Sequence, residues 1–113
     1  MKINQVFQGE IAVLMLSGRF LGGIDHDHFM ERIKSLVAEG HVDLLLDMTE
    51  LQYVDSTGVG SIFAGWTTLK KNSGRLKICS IPSRVDNVLE YTKINLLLDT
   101  YETSAEALAS FGK

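Results

Sequence analysis

The residues whose types and spacing could do chemistry lie in one short run, Asp55-Ser56-Thr57-Gly58-Val59-Gly60. Asp55 and Ser56 are both good helix caps, so a helix is expected to start about there. A hydroxyl at the first turn of a helix sits where backbone N–H groups lack partners and the dipole is positive. Such a place accepts an anion, including a phosphoryl group carried on Ser56 itself. Thr57 is the competing acceptor, pointing about 100° away around the helix.

Other chemistries fit these residues less well. A nucleophile elbow needs G-x-S-x-G, and Val54 occupies the first glycine position. No histidine is placed beside Ser56 to act as base, so the chain is not expected to be an enzyme. Gly58-x-Gly60 is similar to a nucleotide-binding glycine loop, but no G-x-x-x-x-G-K-[ST] is present and Phe63 stands at the third glycine position. Asp25-His26-Asp27-His28 holds metal-ligand types, yet residues two apart on a helix face different ways. A polar helix start accounts for it, and neither metal nor cofactor is expected. Asp47 and Asp55 flank the same sheet edge. They read as strand terminator and helix cap, or as an acidic rim that positions the hydroxyl, or as both.

These residues must be held by something. Leu44-Leu45-Leu46, closed by Asp47, suits a strand buried on both faces of a parallel sheet, followed by a polar loop. After Asp55 the 3.6-residue period puts Val59, Ile62, Phe63, Trp66 and Leu69 on an inward stripe. Gly60, Ser61, Ala64, Thr67 and Thr68 then form the outer face. Small uncharged residues there, where Glu or Lys would solvate better, suit close approach by another protein.

Around this centre, Ile3 to Phe7 and Glu10 to Ser17 read as strands joined at Gln8-Gly9. Gly18 to Gly23 reads as a loop, and Asp25 as the cap of a helix ending at Gly40. Leu76 to Ile81 reads as a strand, Pro82-Ser83 as the start of a third helix with Val85, Val88 and Leu89 inward, and Ile94 to Asp99 as a passage into a last strand. Thr103 and Glu106 have capping-box spacing, with Leu108 and Phe111 pinning the final helix. The alternation predicts a single α/β domain over 1–113: a mixed sheet, with an N-terminal hairpin and parallel strands centred near Leu45 and Ile78, and helices packed on it.

With 113 residues and a net charge of −3, the chain lacks the basic footprint of direct nucleic-acid binding. Lys70, Lys71, Arg75 and Lys77 read as the solvated end of a helix and the next strand. Cys79 is the only cysteine and reads as a small core residue. No signal region or membrane span is read, so a cytoplasmic protein is expected.

Tyr53-Val54-Asp55-Ser56-Thr57-Gly58-Val59-Gly60, after a Leu-rich strand, resembles the signature of the STAS domain, and more narrowly of bacterial anti-sigma-factor antagonists. The resemblance runs on through Gly74-Arg75-Leu76-Lys77-Ile78-Cys79 and Thr103 to Leu108. It implies that Ser56 is the phosphoacceptor of a partner kinase. The implied partners are an anti-sigma factor with serine-kinase activity and a serine phosphatase. Partner-binding positions would be Asp25, Asp55, Ser56, Thr57, Gly58, Gly60, Ser61, Ala64 and Thr68. Many antagonists carry G-x-[LI]-D after the second strand, whereas here Gly18-Arg19-Phe20 leads to Leu21. Either Asp25 replaces that carboxylate after a small insertion, or the partner differs. The other readings are a STAS scaffold or regulatory subunit of another assembly, such as a stress-sensing complex or lipid-transport ABC system, and a small-ligand or nucleotide-binding domain.

Overall fold

The central strand is longer than its apolar run. In the computed structural model, which describes residues 1–112 without the side chains of Tyr91 and Asn95, this strand (β3) spans Asp43–Val54. It lies in the middle of a five-stranded sheet of order β1-β2-β3-β4-β5. The others are β1 (Lys2–Gln8), β2 (Ile11–Phe20), β4 (Arg75–Cys79) and β5 (Asp99–Tyr101). Only β1 and β2 pair antiparallel; β2 with β3, β3 with β4 and β4 with β5 are parallel.

Two expectations are corrected here. The strand does not stop at Asp47, and β2 runs past Ser17 to Phe20. Beyond Asp47, β3 pairs with β2 alone, through two register shifts. Each shift adds a residue to β3 and resets its alternation. Leu44, Leu46, Met48, Leu51 and Val54 therefore all enter one core, although the later spacing is three rather than two. Asp47 is no terminator: its carboxylate accepts from the N–H and the hydroxyl of Thr49 at 3.0 and 2.6 Å, at the first irregularity. On the free side of this extension, the Arg84 guanidinium donates to the carbonyls of Leu51 and Thr49 at 2.8 and 3.0 Å. That supplies partners for carbonyls that no strand reaches.

Three helices cover one face: α1 (Ile24–Ala38), α2 (Ser56–Lys71) and α3 (Ser83–Thr92). The fourth, α4 (Ser104–Ser110), covers part of the other face over Val13, Leu45 and Cys79, with Ala107 and Phe111. The Thr103 half of the expected capping box forms, with Thr103 Oγ1 accepting from the Glu106 N–H at 3.1 Å, while the Glu106 carboxylate lies on the Thr103 hydroxyl at 3.4 Å rather than on its backbone N–H. Ile94–Leu96 is a 3-10 turn, and only Asp99–Tyr101 is strand.

Lys77 is not part of a solvated basic group. It is 7% exposed, and its ammonium donates to Ser110 Oγ at 2.8 Å and Tyr101 Oη at 3.3 Å beneath α4. Arg75 is paired with Asp43 at 2.9 Å. Among the described residues no helix is long and apolar enough to cross a membrane.

Candidate protein-docking site

The site forms where the carboxyl ends of β2 and β3 meet the start of α2. Asp55 is the N-cap, in extended backbone. Its Oδ1 accepts from the Gly58 N–H at 2.8 Å and from the Thr57 hydroxyl at 2.6 Å. The Thr57 hydroxyl first, and the Gly58 amide second, hold the Asp55 carboxyl below the usual carboxylate range. Asp55 also donates its N–H to the Phe20 carbonyl at 3.4 Å.

Gly58 has to be glycine. A Cβ there would overlap the Phe20 carbonyl oxygen and lie 2.8 Å from Val54 Cγ2. The missing side chain lets the first turn of α2 sit directly on the end of β2. The loop leaving β2 closes the other side, where a Cβ on Gly22 would lie 3.1 Å from Thr57 Oγ1. Thr57 is thus bound to Asp55 and backed by Gly22. Ser56 is exposed, and among the described residues its hydroxyl has no hydrogen-bond partner.

Asp25 is not the cap of α1; that position is Gly23, with no side-chain cap bond. Asp25 lies in the first turn and turns back. Its carboxylate accepts from the Leu21 N–H at 3.0 Å and from the Met1 ammonium at 3.1 Å. The Leu21 bond is the main reason its carboxyl lies below the usual range, with the Met1 ammonium adding to it. Asp25 therefore pins the loop that touches Thr57.

The phase of α2 also differs from the expected one. Gly58, Val59, Ser61, Ile62, Gly65 and Leu69 are its buried residues. Ser61, expected outside, is 1% exposed. Its hydroxyl is 2.7 Å from His26 Nδ1 on α1 and donates to the Thr57 carbonyl at 3.2 Å. Phe63, expected inside, is 43% exposed, and Trp66 is half-buried. Ala64 and Thr68 are half-buried, Thr68 with its hydroxyl on the Ala64 carbonyl at 3.0 Å. The rotation follows from Gly65, which lets α1 approach until Ile33 Cδ1 and Phe29 Cε2 would lie 2.6 and 2.9 Å from a Cβ there. Once that glycine faces α1, Phe63 must turn outward.

The surface of α2 is thus a stripe of Ser56, Gly60, Phe63 and half-buried Thr67. Two apolar side chains flank it in the chain. Ile24, next to the Gly22-Gly23 loop, is 85% exposed, and Tyr53, two residues before the cap, is also exposed beneath the Arg19 guanidinium at 5.2 Å. Neither was singled out from the sequence as a contact. The signal was there in Ile24, an apolar residue inside a polar helix start. The exposed α2 stripe itself carries no charge, and the aromatic Phe63 and Tyr53 with Arg19 are of residue types enriched at interfaces.

Comparison with known proteins gives the same family as the sequence resemblance. The model of the STAS domain family matches residues 2–107. The anti-sigma F factor antagonist of Paenibacillus polymyxa is 23% identical over 97 residues, 80% of each chain. Among solved structures, an anti-sigma factor antagonist from Mycobacterium paratuberculosis superposes with a TM-score of 0.84 at 17% identity, over 99% of this chain and 94% of that one. The Bacillus cell fate determinant SpoIIAA, in its phosphorylated form, superposes with a TM-score of 0.74 at 17% identity, over 97% and 99%.

Proposed function

Since the chain belongs to the STAS domain family, we propose that it is an anti-sigma-factor antagonist switched at Ser56. In this reading the unphosphorylated protein binds an anti-sigma factor with serine-kinase activity and frees the sigma factor. That kinase phosphorylates Ser56 and ends the interaction. A serine phosphatase restores it. The relative from Paenibacillus polymyxa supports the role, and a solved phosphorylated form of SpoIIAA supports a phosphorylated state.

The observation that carries the reading is the division of labour at the start of α2. Asp55 and Thr57 satisfy each other, while the Ser56 hydroxyl is left free and exposed at the positive end of the helix. A phosphoryl group there adds about −1.5 to −2 charges, which the helix terminus partly offsets. The fold therefore tolerates it. A partner seated on Gly60, Phe63 and Ile24 would have to desolvate that charge. A penalty of ~3–4 kcal/mol weakens binding several-hundred-fold, because each 1.4 kcal/mol is tenfold. Binding is then switched without refolding.

In this reading the expected contacts divide into two groups. Ser56, Thr57 and Gly60 are open to a partner, with Ala64 and Thr68 at its edge. Gly58, Ser61 and Asp25 position the site from within. Capture of the bound partner by the wild-type chain, compared with Ser56→Asp and Phe63→Asp, tests the reading. Retention of wild-type binding by Phe63→Asp would remove α2 from the interface.

A further inference from the structure

The two edges of the sheet are built differently. β5 is an edge of three residues, Asp99–Tyr101, short enough to protect itself. β1 is an edge of seven, Lys2–Gln8, with the sequence KINQVFQ. It lacks the usual protections: its single charge is at the start, it contains no proline, and its register with β2 is unbroken. Val6 and Phe7, on opposite faces, are 44% and 45% exposed.

Hairpin geometry fixes which backbone groups face outward. β1 and β2 are joined by a two-residue loop, Gly9-Glu10, with Gly9 at a φ of 62°. Such a loop closes on a hydrogen-bonded pair, here Gln8 with Ile11. Hydrogen-bonded and non-bonded pairs alternate along an antiparallel ladder. Gln8, Val6, Asn4 and Lys2 therefore bond to β2, and Phe7, Gln5 and Ile3 direct their N–H and C=O groups away from the sheet.

We propose that β1 pairs edge to edge with β1 of a second copy of this chain, antiparallel about a two-fold axis at Gln5. The strand is self-complementary in that register. Gln5 meets Gln5, and Ile3 meets Phe7 in both directions. Every outward N–H and C=O of the three residues finds a partner. On the helix-covered face the exposed Phe7 ring lies beside Ile3, and on the other face Val6 lies beside Asn4. Lys2 meets Gln8, so no like charges are opposed. The contact is isologous and closed, giving a dimer with one continuous sheet rather than a fibre. Its area is that of one strand edge, so the dimer is weak and concentration-dependent.

Sedimentation equilibrium from low micromolar to millimolar protein tests this. The wild-type mass should rise toward twice the monomer. Gln5→Pro should remain monomeric over the same range while staying folded by circular dichroism, because the lost N–H is one that β2 does not use; it also loses the Arg32 bond to Gln5 Oε1 at 3.2 Å, which lowers its melting temperature by no more than a few degrees. Val6→Lys should also shift the equilibrium toward monomer. The register has its own test in oxidative cross-linking. Hydrogen-bonded pairs have Cα atoms about 5.5 Å apart, within disulfide reach, so Gln5→Cys should form a linked dimer. Gln8→Cys should not, since it faces Lys2. The native Cys79 gives no background, being buried with its thiol pushed up to about 11. A wild-type chain that stays monomeric at millimolar concentration, a dimer unaffected by Gln5→Pro, or equal cross-linking of the two cysteine variants would each overturn the proposal.

Discussion

Two glycines in α2, two residues apart, should respond to alanine with opposite signs. At Gly58 the new methyl would run into the Phe20 carbonyl and approach Val54. A backbone oxygen cannot rotate away as the end of a side chain can, so the first turn of α2 must lift from the end of β2. Overpacking of this kind costs about 1–3 kcal/mol. Lifting also breaks the Asp55 N–H bond to Phe20, worth about 1 kcal/mol. Better helix propensity returns about 1 kcal/mol. The net is a loss of about 2 kcal/mol, or roughly 6–14 °C in Tm for a chain of this size. At Gly60 the new methyl meets nothing within 4 Å, and its φ is not positive. Gly60→Ala should therefore stabilise by about 0.4–1 kcal/mol. Urea and thermal denaturation followed by circular dichroism, with m-values compared, measure both effects. An unchanged or higher midpoint for Gly58→Ala would refute the close approach of α2 to β2.

Phe63→Ala should change stability by no more than about 0.5 kcal/mol, as exposed positions do, yet weaken partner binding about tenfold or more, read by calorimetry with the purified partner. Ser61→Ala should cost about 1 kcal/mol in urea denaturation, because it severs the link from α2 to His26. Asp55→Ala should cost about 1 kcal/mol as a lost cap. Because the folded-state pKa of Asp55 is lowered, its contribution is full above the ordinary carboxylate pKa and fades as pH falls through the folded one. The gap between wild type and Asp55→Ala should accordingly be constant near neutrality and narrow below about pH 4.

Much of the fold was legible because local signals agreed with the tertiary arrangement. The Leu44–Leu46 run, the Asp55 cap, Pro82-Ser83 and the Thr103–Glu106 box all lie where their chemistry places them. Residues 48–54 misled because bulges change the phase of a strand, and apolar residues spaced by three do not look like one. The outer face of α2 misled because hydropathy ranks Phe63 and Trp66 above glycine for burial. Helix packing reversed that order: Gly65 meets α1 because it has no side chain, and Ser61 is buried because His26 supplies its partner. Lys77 was misread because nothing local reveals that α4, distant in sequence, will cover it. At the site, Ser56 was visible from its neighbours. The loop brought beside it by Gly22, and with it Ile24, needed the three-dimensional arrangement.

The central claim is that Ser56 is the switch, and phosphopeptide mapping after incubation with the cognate kinase and ATP tests it most directly. A single phosphate on Ser56, absent from Ser56→Ala, with partner binding lost in the modified chain and kept in Ser56→Ala, is the predicted result. Ser56→Asp should weaken binding less than the phosphate does, since it has less charge and fewer acceptor oxygens. A phosphate on Thr57, whose hydroxyl is held by Asp55, or no phosphate from a kinase that binds the chain, would contradict the account.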